Sequence, residues 1–147
     1  MRARRGFTLV EILIVVVILG ILAAIVIPQF TEASTEAKLS SLCSDLQTVR
    51  SQVELYKVQH NDAMPGTATG VNFISALTKK SNLDGSLSTT GSYGPYLQAM
   101  PKNPFTDSND VKPGTALTDV AGTGTQAWFF NPLNGDFRAN DSAHKTY

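Results

Sequence analysis

The sequence predicts an α+β fold, a long N-terminal helix packed on a small C-terminal antiparallel sheet, and three observations carry that expectation. Residues 7–27 are almost wholly apolar, a run that can satisfy its backbone in lipid only as a helix. Leu39, Leu42, Leu46, Val49, Val53 and Tyr56 then follow spacings of three and four, the period of a helix with one apolar stripe. Near the other end, residues 127–131 and 136–140 flank Pro132-Leu133-Asn134-Gly135, and Asn-Gly is a favoured pair for a primed hairpin turn.

The N-terminal run is long enough as a helix to cross the ~30 Å hydrocarbon core of a bilayer. Val15, Val16, Val17, Ile18, Ile21 and Ile25 are β-branched, which lowers helix propensity in water but matters little where every backbone group must be bonded internally. Gly20, Ala23 and Ala24 are small enough to let another helix approach. Arg2, Arg4 and Arg5 precede the run with no acidic residue among them, the flank that holds an N-terminus in the cytoplasm. A secretory signal peptide shares the arginines, but its apolar core is shorter and ends in a small-residue cleavage site. Ile25-Val26-Ile27-Pro28 offers no such site. Glu11 sets the run apart from an ordinary anchor: a carboxylate in a spanning segment costs roughly 2.5–3.5 kcal/mol at mid-membrane and marks a functional position. Pro28 lacks an N–H, and its ring crowds the carbonyl four residues back. A kink or loosening is therefore expected where the apolar run gives way to Gln29.

Gly6-Phe7-Thr8-Leu9-Val10-Glu11, with the basic flank before it and the apolar run after it, resembles the processing site of type IV pilins and type II secretion pseudopilins. The resemblance implies that a prepilin peptidase cuts after Gly6 and methylates the new N-terminus, Phe7. It makes Glu11 the filament glutamate and Pro28 the helix proline. It implies a pilin fold in four parts: a cleaved basic leader over 1–6, a transmembrane and assembly helix over 7–28, an amphipathic helix over 29–61 and a globular head over 62–147. The implied partners are copies of the same chain in a helical filament, the peptidase, an assembly ATPase with its inner-membrane platform proteins, and minor pseudopilins or minor pilins. The implied location is the bacterial inner membrane, single-pass with the N-terminus cytoplasmic and the head outside, and then a periplasmic or surface filament. In a packed filament core the cation available to Glu11 is the N-terminal amine of a neighbouring Phe7, a pairing suited to setting axial register.

The stripe from Leu39 to Tyr56 continues the helix toward His60-Asn61, where Asp62 and Met64-Pro65-Gly66 supply stop and turn signals. A helix from Phe7 to His60 would be roughly 80 Å long at the α-helical rise. Arg50 and Glu54 are spaced to pair along it. Cys43, beside Leu39 and Leu46, reads as a packing residue, with no cationic cluster to activate its thiol. Beyond the helix, Asn72 is expected to cap a short helix through Phe73, Ile74, Ala76 and Leu77 that fades at Lys79-Lys80-Ser81. Pro95, Pro101 and Pro104 then favour a stiff extended loop. In the hairpin, Trp128 and Phe130 share one face and Phe129 takes the other, so one face should cover the long helix. A lone hairpin is marginal, and a third strand is expected within residues 111–120.

Composition bounds the rest. The chain has 147 residues and no net formal charge. Removing Arg2, Arg4 and Arg5 from the 12 basic residues leaves 9 against 12 acidic ones, so the mature chain is mildly acidic, with no electrostatic footprint for nucleic acid. One cysteine excludes an intramolecular disulfide and a cysteine-based metal site. His60, at a helix end, and His144, near the C-terminus, stand in no nucleophile or metal spacing and read as solvated residues, so no enzyme is expected. The order of elements resembles the major pseudopilin of type II secretion systems. Met100-Pro101-Lys102-Asn103-Pro104-Phe105 is similar to that group's Pro-x-Asp-Pro-Trp segment, from which Asn103 and Phe105 depart. The alternative is a type IV pilus subunit for adhesion, motility or DNA uptake. No cofactor is required. Ca²⁺ enters as an implication of the resemblance, with Asp107, Asn109, Asp110 and Asp119 as candidate oxygen ligands, although Asp and Asn in such runs ordinarily make turns.

Overall fold

The computed structural model describes residues 6–122 and 125–147. Its elements are α1 (Leu9–Gln59), α2 (Phe73–Thr78), β1 (Val111–Pro113), β2 (Trp128–Asn131) and β3 (Asp136–Ala139). The chain divides into two compact units, Met1–Lys38 and Leu39–Tyr147. Apart from Gly6, the expected leader lies outside the described residues.

In the first unit α1 starts at Leu9, with Phe7 and Thr8 outside the helix. The apolar side chains from Leu9 to Ile27 are exposed, and the helix is long and apolar enough to cross a membrane. It passes Pro28 without interruption, because one missing N–H removes one bond from a long ladder. Thr31 donates its hydroxyl to the Pro28 carbonyl at 2.7 Å and lies 3.2 Å from that of Ile27. Such back-bonding to the preceding turn often accompanies a bend.

In the second unit the helical stripe is buried at Leu42, Leu46, Val49, Val53 and Tyr56, while Leu39 is half-buried. Cys43 is exposed, which corrects the packing expectation: one residue from Leu42 is about 100° of helix rotation, enough to carry it off the stripe. Arg50 also departs from its expected pairing with Glu54. Its Nε and Nη2 donate to the Phe137 carbonyl at 3.0 and 2.8 Å, tying α1 to β3. The helix stops as anticipated. Asn61 and Asp62 take φ of 52° and 64°, a left-handed conformation these side chains tolerate, and the Asp62 N–H closes on the Lys57 carbonyl at 3.0 Å.

Asn72 caps α2 by accepting from the Ser75 N–H at 2.8 Å, and α2 buries Phe73, Ala76 and Leu77. The sheet has the order β1-β2-β3. β2 and β3 form the expected antiparallel hairpin, pairing Phe130 with Phe137. The third strand falls where expected but joins in parallel, Val111 against Trp128. Residues 114–127 provide the crossover that a parallel neighbour requires. Gly114 extends this ladder to the Phe130 carbonyl at 2.8 Å, and a Cβ there would come within 2.9 Å of Asn131 Cγ.

The hairpin turn is not the primed two-residue kind. Gly135 has φ 76° but Asn134 does not share its left-handed conformation. Asn134 Oδ1 instead accepts from the Asp136 N–H at 3.0 Å, and the Gly135 N–H reaches Asn131 O at 2.8 Å. The proline at 132 fixes φ at the start of a longer loop. Trp128, Phe130 and Phe137 join Leu42, Leu46, Val49, Val53 and Tyr56 in one core. Phe129, on the opposite side of the strand, is also fully buried. Both faces of β2 are therefore covered, not only the face toward the helix.

Asp45 lies half-buried beside the stripe. Burial pushes its carboxyl above the usual range, opposed by a hydrogen bond from Ser41. A raised folded-state pKa means a stabilising contribution present below the unfolded value and lost as pH rises through the folded one. Asp45→Asn should therefore remove a loss of stability that develops as pH rises through the carboxylate range. Melting temperatures of both forms in mild acid and near neutrality check this; a variant that tracks the parent at both pH values contradicts it.

Candidate functional site: the N-terminal segment

The segment that chemistry must explain is 6–11, at the start of α1. Gly6 is exposed and a Cβ there would meet nothing within 4 Å among the described residues, so packing against them does not demand glycine. Phe7 is 79% exposed. Thr8 and Glu11 close a reciprocal pair of bonds: the Glu11 N–H donates to Thr8 Oγ1 at 3.2 Å, and the Thr8 N–H donates to Glu11 Oε2 at 3.3 Å. This is a capping box, which satisfies two of the orphan donors at a helix start. Thr8 was not among the residues expected to matter, although Thr-x-x-Glu before an apolar run is the signature of such a box.

The box gives Glu11 a local role beyond its charge. Its carboxylate turns back over the first turn, toward the positive end of the helix dipole, instead of projecting unsupported among apolar side chains. The described bonds use Oε2 alone, which leaves Oε1 for another donor. Farther along, a Cβ on Gly20 would also meet open space, consistent with a position where a neighbouring helix can come close.

The other candidates are dispersed in the head. Asp107, at φ 53°, meets the Lys102 ammonium at 3.1 Å with both side chains exposed. Asp110 supplies its carbonyl to the Trp128 N–H at 2.9 Å. Asp119 Oδ2 accepts from the Thr115 and Ala116 N–H groups at 2.6 and 3.0 Å and from the Thr115 hydroxyl at 3.1 Å. Those bonds hold its carboxyl below the usual range. Among the described residues no group of three or more His, Cys, Asp or Glu side chains is placed to hold a metal. Asp107, Asp110 and Asp119 therefore form no such cluster.

Both histidines are corrected. His60 is 1% exposed. Its ring stacks on Tyr56 at 3.8 Å between centroids, Nδ1 lies 2.9 Å from the Tyr56 carbonyl and Nε2 lies 3.0 Å from Ser81 Oγ. A carbonyl only accepts, so the neutral ring carries its proton on Nδ1 and accepts from Ser81. It thereby caps a last-turn carbonyl and pins it to the loop beyond α2. Nearby, burial first, then Tyr56 and Tyr93, push the Tyr96 hydroxyl up to about 12; it donates to Gln59 Oε1 at 2.7 Å. His144 is half-buried, with Nδ1 2.6 Å from Asp141 Oδ1 and its ring stacked on Phe105 at 3.8 Å. Neither is a loosely solvated residue.

A membrane-length helix opening on a glycine, a phenylalanine and a glutamate, joined in sequence to an α+β head, defines the class of pilin-like filament subunits. Residues 1–27 match the model for the prokaryotic N-terminal methylation motif. The chain is 36% identical over 115 residues to type II secretion system core protein G of Pseudomonas aeruginosa, covering 78% of each chain. It is 32% identical over 115 residues to the core protein G of Vibrio cholerae, covering 78% of this chain and 75% of that one. A fimbrial protein of Pseudomonas aeruginosa is 32% identical over 87 residues, 58% of this chain and 56% of its own. No solved structure matches the chain. The chain belongs to the type II secretion system core protein G family, the pseudopilins. It is a structural filament subunit and not an enzyme. It resides in the inner membrane with its N-terminus cytoplasmic and its head outside.

Proposed function

We propose that this chain is the major subunit of a periplasmic filament that helps to move folded proteins out of the cell. Peptidase cleavage after Gly6 frees the Phe7 amine, which is then methylated. In the growing filament that amine supplies the missing donor for Glu11 Oε1 of a neighbouring subunit, while residues 7–27 pack against their copies. Pro28 gives the helix a place to loosen as it packs. The assembly ATPase and platform proteins supply the energy, since the chain carries no nucleotide-binding motif, and minor pseudopilins accompany the major subunit.

The observation that carries this reading is Glu11: a carboxylate on an exposed apolar helix whose cap, among the described residues, engages Oε2 and not Oε1. The similarity to core protein G over 78% of each chain favours secretion. The shorter match to a fimbrial protein supports the second reading, a surface pilus subunit. Deleting the gene separates them. Loss of secreted proteins with surface filaments intact supports secretion; loss of surface filaments with secretion intact supports the pilus.

A further inference from the structure

We propose that the head of this subunit is held closed without calcium, its β1–β2 crossover clasped by buried asparagine amides where the resemblance leads one to expect an ion. This holds whichever filament the subunit builds. The crossover, residues 114–127, is gripped near both of its ends. Asn131, fully buried, donates from Nδ2 to the Ala116 carbonyl at 2.9 Å and accepts at Oδ1 from the Leu133 N–H at 3.0 Å. Asn140, 1% exposed, donates to the Gln126 carbonyl at 3.1 Å and accepts from the Gly122 N–H at 2.9 Å. Asn103, also fully buried, donates to the Ala127 carbonyl at 3.0 Å and accepts from the Phe105 N–H at 2.9 Å. Each amide uses a donor and an acceptor at once, joining two backbone groups through one neutral side chain.

Calcium needs six to eight oxygens at about 2.3–2.6 Å. The carbonyls of Ala116, Gln126 and Ala127 accept from these amides, and that of Ala127 also accepts from the Asn140 N–H. Asp119, the one carboxylate of the crossover sequence, has Oδ2 committed to the N–H groups of Thr115 and Ala116 and to the Thr115 hydroxyl, and its other oxygen alone falls far short of the six an ion needs. The cavity of about 440 Å³ beside Leu117, Asp119 and Val120 is bordered by Asp136, Arg138 and Lys145 as well. Asp136 is already paired with Arg138 at 2.7 Å, so the two carboxylates there are matched by two cations of the chain itself.

The test uses the full chain in detergent. Thermal unfolding is followed with excess calcium chloride and with excess chelator, and calcium is titrated by calorimetry. The expected result is coincident melting and no saturable heat; a rise in melting temperature with calcium, or a saturable heat, overturns the proposal. Hydrogen exchange then tests the clasps. Asn140→Ala should speed exchange of the Gly122 amide by roughly tenfold or more, the scale of one hydrogen bond, and calcium should not restore it. Because removing a buried amide can unfold the head, Asp119→Asn, at a half-buried position, provides a second arm. There the Thr115 and Ala116 amides should exchange faster. Unchanged exchange at these amides, or rescue by calcium, rejects the clasp.

Discussion

Replacing Glu11 by alanine is expected to leave the chain inserted in the membrane and to abolish filaments. Insertion survives because the apolar run is untouched and removing a carboxylate only lowers the cost of burial in lipid. Assembly fails because a buried cation left without its partner costs several kcal/mol, and that penalty recurs at every subunit added. The capping box adds a second, smaller loss, since removing an N-terminal cap costs about 0.5–2 kcal/mol. Glu11→Gln separates the two. Glutamine keeps an acceptor for the Thr8 N–H but carries no charge, so it should preserve the helix start and still fail to assemble. Membrane extraction and electron microscopy of both variants read out insertion and filaments independently. Glutamine filaments as abundant as those of the parent would assign the effect to the cap and remove the ion pair.

The second large effect lies in the head. A chain beginning at Gln29 should be soluble and monomeric, because the exposed apolar side chains of residues 9–27 are gone while the stripe still has its sheet. Within it, Val53→Asp should unfold the domain. Val53 is 2% exposed in a core with Trp128, Phe130 and Phe137, and an unpaired charge there costs about 3–5 kcal/mol against a total stability of roughly 5–15. Leu46→Ala, at 2% exposure, should cost about 2–5 kcal/mol by leaving a cavity. Lys79→Ala and Lys80→Ala, both exposed, should stay within about 0.5 kcal/mol. Denaturant unfolding ranks the four. A Val53→Asp head that melts with the parent, or a Gln29 chain that polymerises, would undo the division between assembly helix and packed head.

What the sequence revealed, and what it hid, follows the range of each interaction. α1, α2 and the hairpin are written in spacings of two to four residues and in the chemistry of Asn72 and Gly135, so they are legible locally. The stripe even continued to His60, four residues past Tyr56, and that spacing could have placed the imidazole in the core. The parallel pairing of β1 left no local trace, because it depends on where a fourteen-residue crossover returns the chain. Arg50 on the Phe137 carbonyl and His144 on Phe105 join residues far apart in sequence, with no periodic pattern to announce them. In the candidate site, Glu11 stood out because a charge within an apolar run is costly to keep unless it serves a function, whereas Gly6 and Phe7 stood out through their resemblance to a prepilin processing site. Thr8 did not stand out, though its threonine-to-glutamate spacing was there to read.

The most direct measurement is the intact mass of the protein recovered from filaments. A subunit assembled through a processed helix should begin at Phe7, having lost Met1 through Gly6, and carry one added methyl group on its new N-terminus. Replacement of Gly6 by a bulkier residue should leave the leader in place and yield no filaments. Filaments whose subunits retain Met1, or begin at any residue other than Phe7, would contradict assembly through a processed N-terminal helix.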